Sequence, residues 1–110
     1  MKEIKAVVQT SKLQKIHDAF HRLTGFPGIV AGRVDWFGPH GKGLRTPKEE
    51  LTDFSKRTYV VILAEDDRVD DIVKLLIEST YTGQPGDGTI WVTAVEKTIE
   101  IGESPPRGKA

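Results

Sequence analysis

Residues 58–95 read TYVVILAEDDRVDDIVKLLIESTYTGQPGDGTIWVTAV, and their punctuation sets the architecture of the chain's second half. Tyr59 to Ala64 form an unbroken apolar run rich in β-branched residues, the composition of a strand buried on both faces. Asp66 and Asp67 follow, offering N-cap side chains and the negative charge that favours a helix start. Val69, Ile72, Val73, Leu76 and Ile77 then recur at helical spacing, which predicts a helix ending near Tyr81. The glycine-rich segment Thr82 to Gly88 interrupts, and Thr89 to Val95 returns to strand composition.

The first half repeats this alternation. Ile4 to Val8 read as a strand with one buried face. Ser11 and Gln14 have the spacing of a capping box, and Leu13, Ile16, Ala19, Phe20 and Leu23 mark the apolar face of the helix that follows. Gly25 suits the left-handed position after its last turn. Gly28 to Phe37 turn to β composition. Gly38 to Asp53 mix turn formers with charges, and a loop of that length in a small domain is functional or mobile.

The order β-α-β-β-α-β predicts an α+β, ferredoxin-like domain over residues 1–102: a four-stranded antiparallel sheet, two helices on one face, and a long loop between strands 2 and 3. A further extended piece is expected from Thr98 to Ile101, and residues 103–110 read as a disordered or extended tail. The sheet's second face needs a cover. Because the third strand lacks polar alternation, a further copy of the same chain in a closed ring is the simplest one.

Composition narrows the function classes. Sixteen basic residues balance sixteen acidic ones, so no overall field favours nucleic acid or an anionic membrane, and a charged ligand must be met by a local site. Cysteine is absent, which removes disulfides, thiolate metal sites and cysteine nucleophiles. Met1 to Lys5 lead straight into a short apolar run with no signal-peptide or membrane-span pattern, so the expectation is a cytoplasmic protein without direct membrane insertion.

Two stretches resemble the PII signal-transduction superfamily. Thr82-Gly83-Gln84-Pro85-Gly86-Asp87-Gly88-Thr89-Ile90-Trp91-Val92 is similar to the family's C-terminal signature, Thr-Gly, two variable residues, Gly-Asp-Gly, a basic residue and Ile-Phe. Lys12-Leu13 opens the first helix as in the family, and Trp36-Phe37-Gly38 resembles the Gly-Phe-Gly that precedes its mobile T-loop. The resemblance spans almost the whole chain. It implies a homotrimer with adenine nucleotide (ATP, ADP or AMP) bound in clefts between subunits, no obligatory metal, and signalling through the loop 38–53 to a target protein such as a transporter or enzyme.

Carried over residue by residue, the ligand-binding candidates are Gly38, Arg57, Gly86, Asp87, Gly88 and Thr89. Glycines there would let consecutive N–H groups close on an anion, and Arg57 keeps a cation near the family's strand-edge lysine. The departures are specific. Thr89 replaces a phosphate-binding lysine, and Glu100 and Gly102 stand where the family has paired arginines. Charge-assisted contacts to phosphate are worth about 1.5–3 kcal/mol each, so their loss argues against ordinary tight triphosphate binding. Pro39-His40 replaces the Arg-Gln that organises magnesium and 2-oxoglutarate, and no tyrosine lies between Gly38 and Thr58 for uridylylation. Relatives with altered loops are associated with bicarbonate uptake, carboxysomes and metal or small-molecule transport, which admits bicarbonate or another small anion as effector.

Other residues carry a sharper and a plainer reading. His17 and His21, one helical turn apart, have the spacing to share a metal, against the plainer reading of a solvated helix face. His40 is a third metal or partner candidate, or an ordinary loop residue. A metal-binding trimer resembling CutA, or a structural trimer with a degenerate site, are therefore the alternatives. Trp36 and Trp91 read as packing residues, because each sits in an apolar strand. Ser55 and Ser79 lack a nucleophile elbow or a recognisable base, so the chain reads as a regulator rather than an enzyme.

Overall fold

The computed structural model describes residues 1–25, 28–37 and 54–103. Its elements are β1 (Lys2–Gln9), α1 (Leu13–Phe20), β2 (Val30–Trp36), β3 (Ser55–Ala64), α2 (Val69–Thr80) and β4 (Gly88–Ala94), with 3-10 turns at Thr10–Lys12, Asp66–Arg68 and Ile101–Glu103. The strands form one antiparallel sheet in the order β2-β3-β1-β4. This is the α+β, ferredoxin-like arrangement.

Strand alternation builds the core. Ile4, Ala6 and Val8 of β1 stand opposite Ile62, Val60 and Thr58 of β3, so their side chains share the face that the helices cover. Ile16 and Phe20 of α1 and Ile72 and Leu76 of α2 close over them, and no member of this core is more than 4% exposed. The helices bring their apolar stripes, and the strands bring β-branched residues that pack on a pleated surface.

Both helix starts differ from the sequence expectation. Ser11 does not cap α1; a 3-10 turn carries the chain directly out of β1, and the N-cap position, Lys12, makes no side-chain cap bond. Gln14 instead donates to Asp18, one turn along, at 2.9 Å. Asp66 likewise does not cap, because the Met1 ammonium donates to it at 2.7 Å and turns its carboxylate toward the chain start. At the other end of α2 the hydroxyls of Ser79 and Thr80 donate to the carbonyls of Leu75 and Leu76, both at 2.8 Å. Tyr81 then leaves the helix in extended conformation.

Three further expectations are corrected. β3 begins at Ser55, earlier than its apolar run, because pairing with β2 extends it through polar residues. It is not buried on both faces: Tyr59 and Val61 are half-buried and Leu63 is 44% exposed. The segment from Thr98 to Glu100 is irregular rather than extended in a sheet, and a 3-10 turn follows. The loop 38–53, with Gly38 and His40, and the tail from residue 104 lie outside the described residues.

Candidate functional site

Antiparallel pairing brings the C-terminal ends of β1 and β2 and the N-terminal ends of β3 and β4 to one end of the sheet. Arg57 stands opposite Gln9 on one side and Val34 on the other, Trp36 opposite Ser55, and Val7 opposite Thr89. By alternation Val7, Trp36, Arg57 and Thr89 all face away from the helices. Together with Gly86 and Gly88 they line a cleft of about 310 Å³ at this end of the open face.

The turn that forms one wall is built by its own aspartate. Asp87 accepts hydrogen bonds from the backbone N–H of Thr82 at 2.7 Å, from the Thr82 hydroxyl, and from the N–H of Gly83 at 3.2 Å. Burial works to raise its pKa, but these hydrogen bonds and the nearby Lys12 charge outweigh it and hold the carboxyl below its ordinary value. Asp87 therefore holds the loop in shape rather than lining the cleft.

Two glycines of the turn are required by geometry. Gly86 has φ +91°, a region that side chains avoid. Gly88 has φ +138°, and a Cβ there would lie 2.4 Å from the Val7 carbonyl oxygen, inside contact distance of the β1 backbone. The signature thus has a structural reason in this chain: β4 can enter beside β1 only without a side chain at 88.

Arg57 supplies the charge. It is only 6% exposed, yet among the described residues it makes a single hydrogen bond, from Nη1 to the Lys56 carbonyl at 3.2 Å, and has no carboxylate paired to it. Lys56, on the other face, pairs with Asp35 across β2 and β3 at 3.1 Å. A buried guanidinium keeps its charge, so it calls for an anion or water at its remaining donors. Beside it stand the Thr89 hydroxyl and the Trp36 ring, one a polar contact and the other a flat apolar surface. Among the described residues the lining contains no histidine or carboxylate, and the arrangement suits binding of a small anion or a lightly phosphorylated nucleotide.

Four of the six candidates from the sequence, Arg57, Gly86, Gly88 and Thr89, meet at this cleft. Asp87 stands behind it as the turn's organiser, and Gly38 lies outside the described residues. Trp36 and Val7 were not among the candidates. Trp36 read as a packing residue, and the signal that places it in the cleft is its strand parity with Val34, opposite Arg57. Glu100 and Gly102 are exposed. His17 lies on α1 and His21 caps its C-terminal end, and α1 covers the sheet's other face. Among the described residues no three His, Asp or Glu side chains gather as a metal cluster, and no helix is long and apolar enough to cross a membrane.

Comparison with known proteins covers nearly the whole chain. The family model described as "Nitrogen regulatory protein P-II" matches residues 1–104. Relatives carrying that name include the protein of Azospirillum brasilense, 32% identical over 104 residues, which cover 92% of this chain and 91% of the relative. That of Pasteurella multocida is 32% identical with the same coverage. That of Pyropia yezoensis is 31% identical over 103 residues, again 92% of this chain and 91% of the relative.

Proposed function

Since the chain belongs to the nitrogen regulatory protein P-II family, we propose that this regulatory protein senses a small anionic effector in the cleft formed by Val7, Trp36, Arg57 and the 86–89 turn. The effector is an adenine nucleotide with few phosphates, ADP or AMP in preference to ATP, or a small anion such as bicarbonate. Buried Arg57, facing the cleft without a carboxylate partner among the described residues, carries this reading. The preference follows from charge: one guanidinium and a glycine turn can satisfy part of a polyphosphate, and Thr89, Glu100 and Gly102 supply no cations to hold the rest.

In this reading the working form is a cytoplasmic homotrimer. The face opposite the helices exposes Leu63 and Trp91 by 44% and 39% and carries half-buried Tyr59 and Val61, an apolar surface that neighbouring copies would cover. The cleft opens on that same face, so a neighbour would complete it. Occupancy would change the population of conformations of the loop 38–53 and so the surface offered to a target protein. A nitrogen role through 2-oxoglutarate and uridylylation is not proposed, because Pro39-His40 and the absence of tyrosine between Gly38 and Thr58 remove the groups it needs.

The test is calorimetric titration of the purified protein with ATP, ADP, AMP and bicarbonate, with Trp36 fluorescence as a second readout. ADP or AMP should bind more tightly than ATP, and Arg57→Gln should weaken binding roughly 10- to 100-fold, the loss expected for one charge-assisted contact. Unchanged affinity in Arg57→Gln, or no response to any of these ligands, overturns the proposal.

A further inference from the structure

The one cluster of imidazoles in the described structure lies on the opposite side of the domain from the cleft. His17 and His21 stand one turn apart on the exposed side of α1 and at its end, with their Nε2 atoms 3.0 Å apart and ring centroids 4.3 Å apart, edge to face. Side chains at this spacing are neighbours, but their polar atoms need not converge. Here they do. Two nitrogens bound to one Zn²⁺ at about 2.0–2.1 Å lie roughly 3.3 Å apart at the tetrahedral angle and roughly 2.9 Å apart at a right angle. The observed separation falls within that range, so a cation could take the place of the shared proton with little movement of either ring.

A second feature points the same way. Asp18 Oδ1 lies 3.4 Å from His17 Nδ1, the nitrogen facing away from the pair, and the Gln14 amide nitrogen lies 3.4 Å from that ring nitrogen and donates to the same Asp18 oxygen at 2.9 Å. In the tautomer whose Nδ1–H donates to this carboxylate, Nε2 carries the lone pair, the arrangement of a carboxylate–histidine–metal relay, and metal binding at Nε2 selects that tautomer. Gln14 in turn keeps the carboxylate in place. Beside the two rings, a hollow of about 400 Å³ lined by Leu13, Ile16, Ile29 and Ala31 leaves room for water to fill the remaining coordination positions.

We propose that His17 and His21 are a two-histidine site for a borderline divalent transition metal, Zn²⁺ or Ni²⁺, oriented by Asp18 and completed by water. The site is independent of the effector cleft: it lies on the helix layer and shares no residue with the cleft. With two protein ligands it is a reversible site rather than a permanent structural centre. Bridging one turn of an eight-residue helix, the metal stabilises α1 in particular.

The experiment is a titration of the whole protein with ZnCl₂ and, separately, NiCl₂, followed by calorimetry and by NMR of the histidine ring protons. Expected are ring signals of His17 and His21 that shift with Zn²⁺ and broaden with Ni²⁺, and affinity at least 10-fold weaker in His17→Ala and in His21→Ala. Asp18→Asn should weaken binding about 10-fold while leaving the circular dichroism spectrum intact, which separates orientation of the ligand from loss of the helix. His40→Ala, altering the remaining histidine, should bind as the native chain does. The proposal fails if the ring signals of the pair stay fixed at millimolar Zn²⁺. It also fails if His17→Ala and His21→Ala bind as tightly as the native chain, or if binding is lost only with His40.

Discussion

The two faces of the sheet are made by alternate residues of the same strands, and they end in different states. Along β3, Val60 and Ile62 are fully buried under the helices, while their neighbours Val61 and Leu63 are half-buried and 44% exposed. Both sets are large and apolar, so the difference lies not in residue type but in what the chain can supply. Two amphipathic helices complete one face. The other keeps Tyr59 and Trp91, ring centroids 6.4 Å apart, beside the charged pair Lys5 and Glu3, and stays open. A finished core holds the monomer together; an unfinished one specifies what comes next to it.

The comparison is broken most directly by truncating each face in turn. Phe20→Ala removes a fully buried ring from the helix side and should cost about 3–5 kcal/mol in urea unfolding, a large share of the roughly 5–15 kcal/mol that holds a small domain folded. Leu63→Ala on the open face should cost under about 1 kcal/mol in the isolated chain. Equal losses would mean that the open face is as much a part of the monomer's core as the covered one.

Gly88→Ala tests the seam where β4 enters between the two faces. The new methyl would meet the Val7 carbonyl, and the backbone would remain at positive φ, so the expected loss is about 3 kcal/mol with weakened pairing of β4. Gly86→Ala, strained in φ, should lose about 1–2 kcal/mol. Hydrogen exchange of the β4 amides checks both. If the two variants lose the same amount, close approach of β1 is not what selects glycine at 88.

How much of this was legible in the sequence follows from the range of the forces involved. The apolar periodicity of Val69 to Ile77 and the β-branched run from Tyr59 to Ala64 are local signals, and the elements formed where those signals lay. Helix starts differ from the local signal because Ser11 and Asp66 meet stronger or nearer demands: a strand that runs straight into a 3-10 turn, and an ammonium brought in from Met1. The glycine turn and Arg57 were legible through resemblance, and the fold brings them together. Trp36 was not, because its place in the cleft depends on register with β3, a long-range property that alternation alone leaves ambiguous. The meeting of His17 and His21 was visible as spacing, whereas the convergence of their Nε2 atoms and the backing of Asp18 are matters of side-chain conformation.

The open face can be sharpened as an interface by charging its centre. Val61 pairs with Val30 and Lys5 across its neighbours, in the middle of that surface. Val61→Lys should cost the isolated chain under about 1 kcal/mol, since the ammonium can reach water. Buried between copies, the same charge should weaken assembly about 30-fold or more, the effect of losing a contact worth about 2 kcal/mol. Sedimentation velocity over a dilution series reads this directly. A Val61→Lys variant that remains as associated as the native chain, or a native chain that is monomeric at every concentration, would remove the interface from this face.

The smallest effect concerns the turn that delivers Thr89 to the open face. Asp87 has its pKa lowered in the folded chain, and an unfolded aspartate titrates near 3.9. The stabilisation it gives is therefore fully present above about pH 4 and is lost as pH falls through the folded value. At pH 7, Asp87→Asn removes the charge from hydrogen bonds to Thr82 and Gly83 and should cost about 1 kcal/mol. Asp18 and Asp66 are lowered as well, by Gln14 and His17 and by the Met1 ammonium, so the native chain's acid sensitivity is shared among them. The difference between native and Asp87→Asn stability isolates this one group: it should be constant from neutral pH to about pH 5 and close toward zero in stronger acid. A gap that persists at low pH would mean that the amide disturbs the turn by shape, and that the carboxylate's charge is not what holds the 82–88 segment against the end of β1.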